Sequence, residues 1–138
     1  MTERLFTPAE VDRLIPKLAE LMGQAIERHR QAQDFAEALR AERERIRAAG
    51  GTAEARREWK ARTERLDGLT IEVRGFLEEV QTLGGVVKDV EMGLVDFAGL
   101  VPGRAGDEPV NLCWKYGESA VRFWHRFDEG FAQRRPLP

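Results

Sequence analysis

The sequence predicts an α+β protein: a long antiparallel helical hairpin over residues 7–83, then a small antiparallel β module with a short helical turn over residues 84–138, the whole forming one domain of residues 1–138. Three observations predict it. Apolar residues recur every seven positions through the first 83 residues, paired glycines at Gly50-Gly51 and Gly84-Gly85 end each periodic run, and beyond Gly85 the periodicity shortens to that of strands.

The first helix has a start with a mechanism. In Thr7-Pro8-Ala9-Glu10 the threonine side chain can accept from the Glu10 N–H while Glu10 reaches back to the Thr7 N–H, and Pro8 sits where its missing donor costs nothing. Val11, Leu18, Ala25, Ala32, Leu39 and Ile46 sustain a coiled-coil-like stripe. Pro16 removes one backbone hydrogen bond inside it, which predicts a kink rather than a break because the stripe continues in phase. Gly50-Gly51 ends the helix and Thr52 caps the next, whose own stripe is Trp59, Leu66, Val73 and Val80. Gly68 and Gly75 inside it mark close approach of another backbone, or curvature. Helices of roughly 60 and 45 Å exceed what compactness needs. The hairpin therefore projects or pairs, and a homodimer is expected.

After Gly85, Val86–Glu91, Leu94–Leu100 and Val110–Lys115 read as short strands, two or three in number, with turns at Met92-Gly93 and in the polar loop Pro102–Pro109. Alternation puts Val110, Leu112 and Trp114 on one face of the third segment and Asn111, Cys113 and Lys115 on the other. Glu118–Phe127 is read as one or two helical turns in which Val121, Trp124 and His125 share a side, and the tail from Glu129 shows no regular pattern.

Composition narrows the function classes. The formal net charge of −2 gives phosphate backbones little long-range attraction, so nucleic acid is disfavoured as a partner; the exception is the basic hairpin tip between Arg40 and Arg62, a possible RNA-binding arm whose plainer reading is a solvated face of Glu–Arg pairs such as Glu42 with Arg45. No apolar run approaches the roughly 20 residues that span a bilayer. With one Cys, no internal disulfide and no recognisable leader, a reducing cytoplasm is the simplest location.

The dense part of the chain runs from Gly93 to Gly130. A carboxylate and imidazole set, Asp96, Glu118 and His125, could hold a divalent metal with an open position and serve an enzyme, although no spacing matches a recognised metal signature and no metal is assigned. Nucleophilic catalysis would need Cys113 as thiolate, His125 as base and Asp96 as orienter; between Leu112 and Trp114, a buried inert Cys113 is the simpler reading. Ligand binding without chemistry fits the residue mix best, with Asp89, Asp96, Trp114, Lys115, Glu118, His125 and Arg134 as the candidate binding set and no catalytic residue or cofactor identified. Against this stands a bland alternative in which the aromatics plug the sheet onto the hairpin and Asp89 serves a turn.

Lys88-Asp89, Gly93-Leu-Val-Asp-Phe97, Leu112-Cys-Trp-Lys115, Gly117-Glu118, Trp124-His125 and Gly130-Phe131 with Arg134 resemble a bacterial family catalogued as a domain of unknown function, number 2203. The resemblance implies a helical first half of this length. It implies no activity. The leading expectation is a cytoplasmic binding or scaffold protein whose C-terminal module takes a small polar ligand or a partner.

Overall fold

Thr7 opens the first helix through the reciprocal cap that its sequence dictates: its N–H donates to Glu10 Oε1 at 2.9 Å and its hydroxyl accepts from the Glu10 N–H at 3.2 Å. In the computed structural model, which describes residues 4–101, 103 and 108–138, helix α1 then runs unbroken from Pro8 to Ala49, through Pro16. Most of the polar loop expected at Pro102–Pro109 lies outside the described residues. Thr52 accepts from the Ala55 N–H at 3.0 Å and starts α2, Ala53–Leu83. The two are antiparallel, as cross-links of mirrored order require: the Trp59 indole donates to the Leu39 carbonyl, and Arg28 pairs with Glu72 at 3.0 Å. Glu42–Arg45 and Glu44–Arg47 pair along the tip of α1, the solvated face expected of it. No described helix is long and apolar enough to cross a membrane.

Gly84 stops α2 in the left-handed conformation at φ 107°, its N–H and that of Gly85 donating back to the carbonyls of Gln81 and Val80. A Cβ at Gly84 would meet the Phe6 ring at 2.4 Å. The chain therefore turns into the sheet where a side chain fits neither the dihedral nor the space. Gly68 and Gly75, by contrast, have nothing within 4 Å of a Cβ, so neither is a point of close approach within this chain.

Five antiparallel strands follow in meander order: β1 Val86–Asp89, β2 Leu94–Gly99, β3 Val110–Lys115, β4 Phe123–His125 and β5 Arg135–Pro136. The first three coincide with the segments read from sequence, but the sheet has more than the two or three strands expected. Glu118–Phe127 is not helical: it contains β4, whose three residues are too few for a period of two to register, and Trp124 and His125 point to opposite faces rather than sharing a side. The helical turn lies later, as the 3-10 turn Phe131–Gln133 in the tail read as patternless.

The core sits between the sheet and the base of the hairpin. Val95, Phe97, Val110, Leu112 and Trp114 form one face of the sheet and pack with Val11, Ile15, Leu18 and Met22 of α1 and Val80 of α2. Phe6 forms a parallel bridge with Gly99 and meets Phe97 edge-on at 5.2 Å, and the Asp12 carboxylate accepts from the Val121 N–H at 2.8 Å, fixing the approach to β4 on α1.

Candidate functional site

The register that sends Val95, Phe97, Leu112 and Trp114 inward sends Asp96 and Cys113 outward, directly opposite one another on β2 and β3, while His125 on β4 lies opposite Asn111. The outer face of a small antiparallel sheet is ordinarily left to water. Here Asp96, Cys113 and His125 are 3%, 1% and 2% exposed. What covers them is the segment after β4, which crosses this face before returning as β5.

Residues of that segment hold it down by charge. Glu129 binds Arg135 through two bonds of 2.8 Å and accepts from the Arg126 N–H at 2.9 Å, which pulls its carboxyl down to about 2, with the Arg135 guanidinium as the main cause. Arg134 stacks over the rings of Phe123 at 3.9 Å and Phe131 at 4.4 Å and pairs with Glu118 at 3.3 Å. Leu137 N–H donates to the Arg122 carbonyl at 2.7 Å, closing the strap.

Beneath it the three donors converge. One side-chain ligand atom from each of Asp96, Cys113 and His125 lies within 4.8 Å of the other two. His125 Nε2 is 3.1 Å from Asp96 Oδ2, and Nδ1 is 2.8 Å from the Arg126 carbonyl oxygen. A carbonyl only accepts, so Nδ1 carries a proton and Nε2 is the nitrogen turned toward Asp96 and the thiol. Burial, and then the neighbouring Asp96 carboxylate, push the Cys113 thiol up to about 12, against which Arg134 acts in the opposite sense. The cluster borders a cavity of about 150 Å³ whose other walls include Lys88, Glu129 and Phe131. Lys88 and Asp96 also line a groove of about 430 Å³ that runs past Arg4, Phe6 and Asn111 to the exposed ring of Phe127.

These distances decide between chemistries. A cysteine nucleophile needs a ring nitrogen free to take its proton, but both nitrogens of His125 are engaged and the thiol is held protonated. The same three donors could instead hold a metal ion. A zinc-class ion about 2.0–2.1 Å from a nitrogen and an oxygen in tetrahedral geometry separates them by about 3.3 Å, and the observed 3.1 Å suits such an ion as well as a direct imidazole–carboxylate hydrogen bond. The Arg126 carbonyl on Nδ1 is the kind of outer contact that would orient a metal-bound imidazole.

Of the residues singled out by sequence, the structure brings Asp96 and His125 together, with Cys113 as the third member. Arg134 stays beside Cys113, whose thiol its charge and hydrogen bond favour ionising, and the others go elsewhere. Asp89 accepts from the Met92 N–H at 2.8 Å in the β1–β2 turn, and Trp114 is in the core, its indole donating to the Glu118 carbonyl. Glu118 is occupied by the Lys115 N–H at 2.7 Å and by Arg134, and the Lys115 amine stands 5.7 Å from the Phe131 ring. Sequence reasoning assigned no site role to Lys88 or Glu129. Alternation in β1 could have placed Lys88 on the face of Asp96, whereas nothing local marks Glu129. No curated protein and no solved structure matches this chain. A family model described as an uncharacterized conserved protein, DUF2203, matches residues 4–137, nearly the whole length, and the chain belongs to that family.

Proposed function

We propose that the C-terminal sheet is a metal-binding module, holding one zinc-class divalent ion through Asp96, Cys113 and His125. The observation that carries this reading is the pairing of His125: Nδ1 donates to a backbone carbonyl, and Nε2 faces a buried carboxylate and a buried thiol. Thiolate and imidazole select zinc, cobalt or iron over magnesium and calcium, which prefer oxygen. A bound dication also reverses the logic of the thiol, because the charge that now opposes ionisation would be outweighed by the ion. Three protein donors would leave a coordination position for water or a ligand, and all three border the 150 Å³ cavity. A thiol that must stay reduced suits the reducing cytoplasm. The binding role read from the sequence thus gains a specific centre, and water on such an ion would be available for hydrolytic chemistry.

Elemental analysis of the purified protein, followed by cobalt(II) titration of the metal-free form, tests it. One ion per chain and a thiolate-to-cobalt absorption band are expected, both lost in Cys113→Ser and His125→Ala and both kept in Glu118→Gln. Absence of stoichiometric metal and of the band would leave a buried histidine–aspartate pair and sink the proposal. Separately, the homodimer expected of the hairpin is favoured by Ile71, 65% exposed on α2; light scattering showing a monomer at micromolar concentration would reject it.

A further inference from the structure

Lys88 stands at the mouth of both openings on the outer face. It lines the 150 Å³ cavity beside Cys113 and His125 and the 430 Å³ groove that ends at Phe127, and Asp96 is the other residue common to the two. The groove and the cavity thus adjoin at Lys88 and Asp96. Lys88 is exposed and forms no ion pair with any described residue. Arg4, also in the groove, is tied to Glu10 at 3.3 Å and lies over the Phe6 ring at 4.3 Å. So of the two cations in the groove, the one nearer the donors is the one with its charge unspent.

Formal charge turns this placement into a preference. A dication balanced by the Asp96 carboxylate and the Cys113 thiolate, with His125 neutral, makes a centre of no net charge. Glu129, the other charged residue on the cavity wall outside the donor set, is matched by Arg135, so Lys88 gives the rim a positive sign, and an entering molecule would complete the coordination best through an oxyanion. The rest of the groove is suited to the apolar part of such a molecule, with Phe6, Val86, Ala98 and Phe127 along its walls.

We infer that the groove and cavity together bind a small organic oxyanion, a carboxylate or phosphate, whose charged end meets Lys88 and the open position of the metal while its apolar end lies along Phe127. This rests on the metal reading above. The experiment uses the full chain loaded with cobalt(II), titrated with benzoate, with inorganic phosphate and with neutral benzamide, and followed by the visible cobalt bands. Benzoate and phosphate are expected to shift the bands saturably and benzamide to leave them alone. Lys88→Glu, with its cobalt stoichiometry measured alongside, should weaken both anions about tenfold per bound cobalt, the scale of one charge lost and its opposite gained at a solvent-facing site. Phe127→Ala should weaken benzoate while sparing phosphate. A band shift by benzoate alone narrows the class to carboxylates, and one by phosphate alone to phosphates. If cobalt binds in full and neither anion moves the bands, or if Lys88→Glu titrates like the wild type, the oxyanion site is overturned while the metal site stands. Failure to bind cobalt would overturn both.

Discussion

The two faces of the sheet are equally buried at their centres, yet they are buried for different reasons. On the inner face Phe97, Leu112 and Trp114 leave water because apolar area is worth about 25 cal/mol per Å² when removed from it. On the outer face Asp96 and His125 leave water as partners of one another, with Nδ1 of the ring on the Arg126 carbonyl, because buried polar groups must be paired to be tolerated. A strap fastened by two arginines covers them, so the two faces answer differently to substitution.

The largest effect belongs to the inner face. Phe97→Ala should destabilise the fold by about 3–5 kcal/mol through the cavity it leaves, measured by denaturant unfolding, while any protein that remains folded keeps its metal stoichiometry. Next comes the ion. Zinc at a hundredfold excess over its dissociation constant should stabilise the wild type by about 2.7 kcal/mol, read as a raised Tm, and should do nothing for Cys113→Ala. Asp96→Ala should cost about 1–3 kcal/mol by removing the partner of His125 Nε2. It should also abolish cobalt binding, so that a variant less damaging than Phe97→Ala is the more damaging to function.

The smallest effects are in the pH limbs. Glu129 is held near 2, below its ordinary 4.5, so the folded strap keeps the carboxylate while the unfolded chain takes up a proton first. Its contribution is whole above about 4.5 and is lost as pH falls toward 2, and Glu129→Gln should flatten that acid limb in urea melts. Cys113 runs the other way in the metal-free protein. Its thiol is raised from 9.0 to about 12, so the unfolded chain loses the proton first and stability falls as pH rises through that window. Cys113→Ala should flatten the alkaline limb. An unchanged limb in either variant would mean that the group named does not set it.

Long-period features were legible and short ones were not. The caps at Thr7 and Thr52, the glycine stops and both helix stripes are local patterns, repeated over enough turns to be read one residue at a time. β4 has three residues and β5 two, and their pairing is set by partners elsewhere in the chain: Trp124 lies across from Leu112 on one side and Arg135 on the other. The site was legible in part for the same reason. Alternation puts Cys113 on the face opposite Leu112 and Trp114, where its apolar neighbours read as those of a buried inert residue, and nothing in the sequence announces the strap that covers that face. Glu118 attracted attention as a carboxylate near His125, and only the fold shows that the Lys115 N–H and Arg134 occupy it.

β3 has one further consequence. Trp114 follows Cys113 and Trp124 precedes His125, so each indole is one peptide unit from a donor atom's residue while lying against the hydrophobic side of the same ribbon. The Trp114 indole donates to the Glu118 carbonyl and the Trp124 ring lies 4.8 Å from the Arg135 guanidinium, so both stand close to the strap as well as to the core. An absorbing ion such as cobalt or copper would drain their emission by energy transfer without altering their packing. The two indoles would therefore report occupancy of the proposed site with no label needed, and Trp59, far along the hairpin against Leu39, would provide the internal reference.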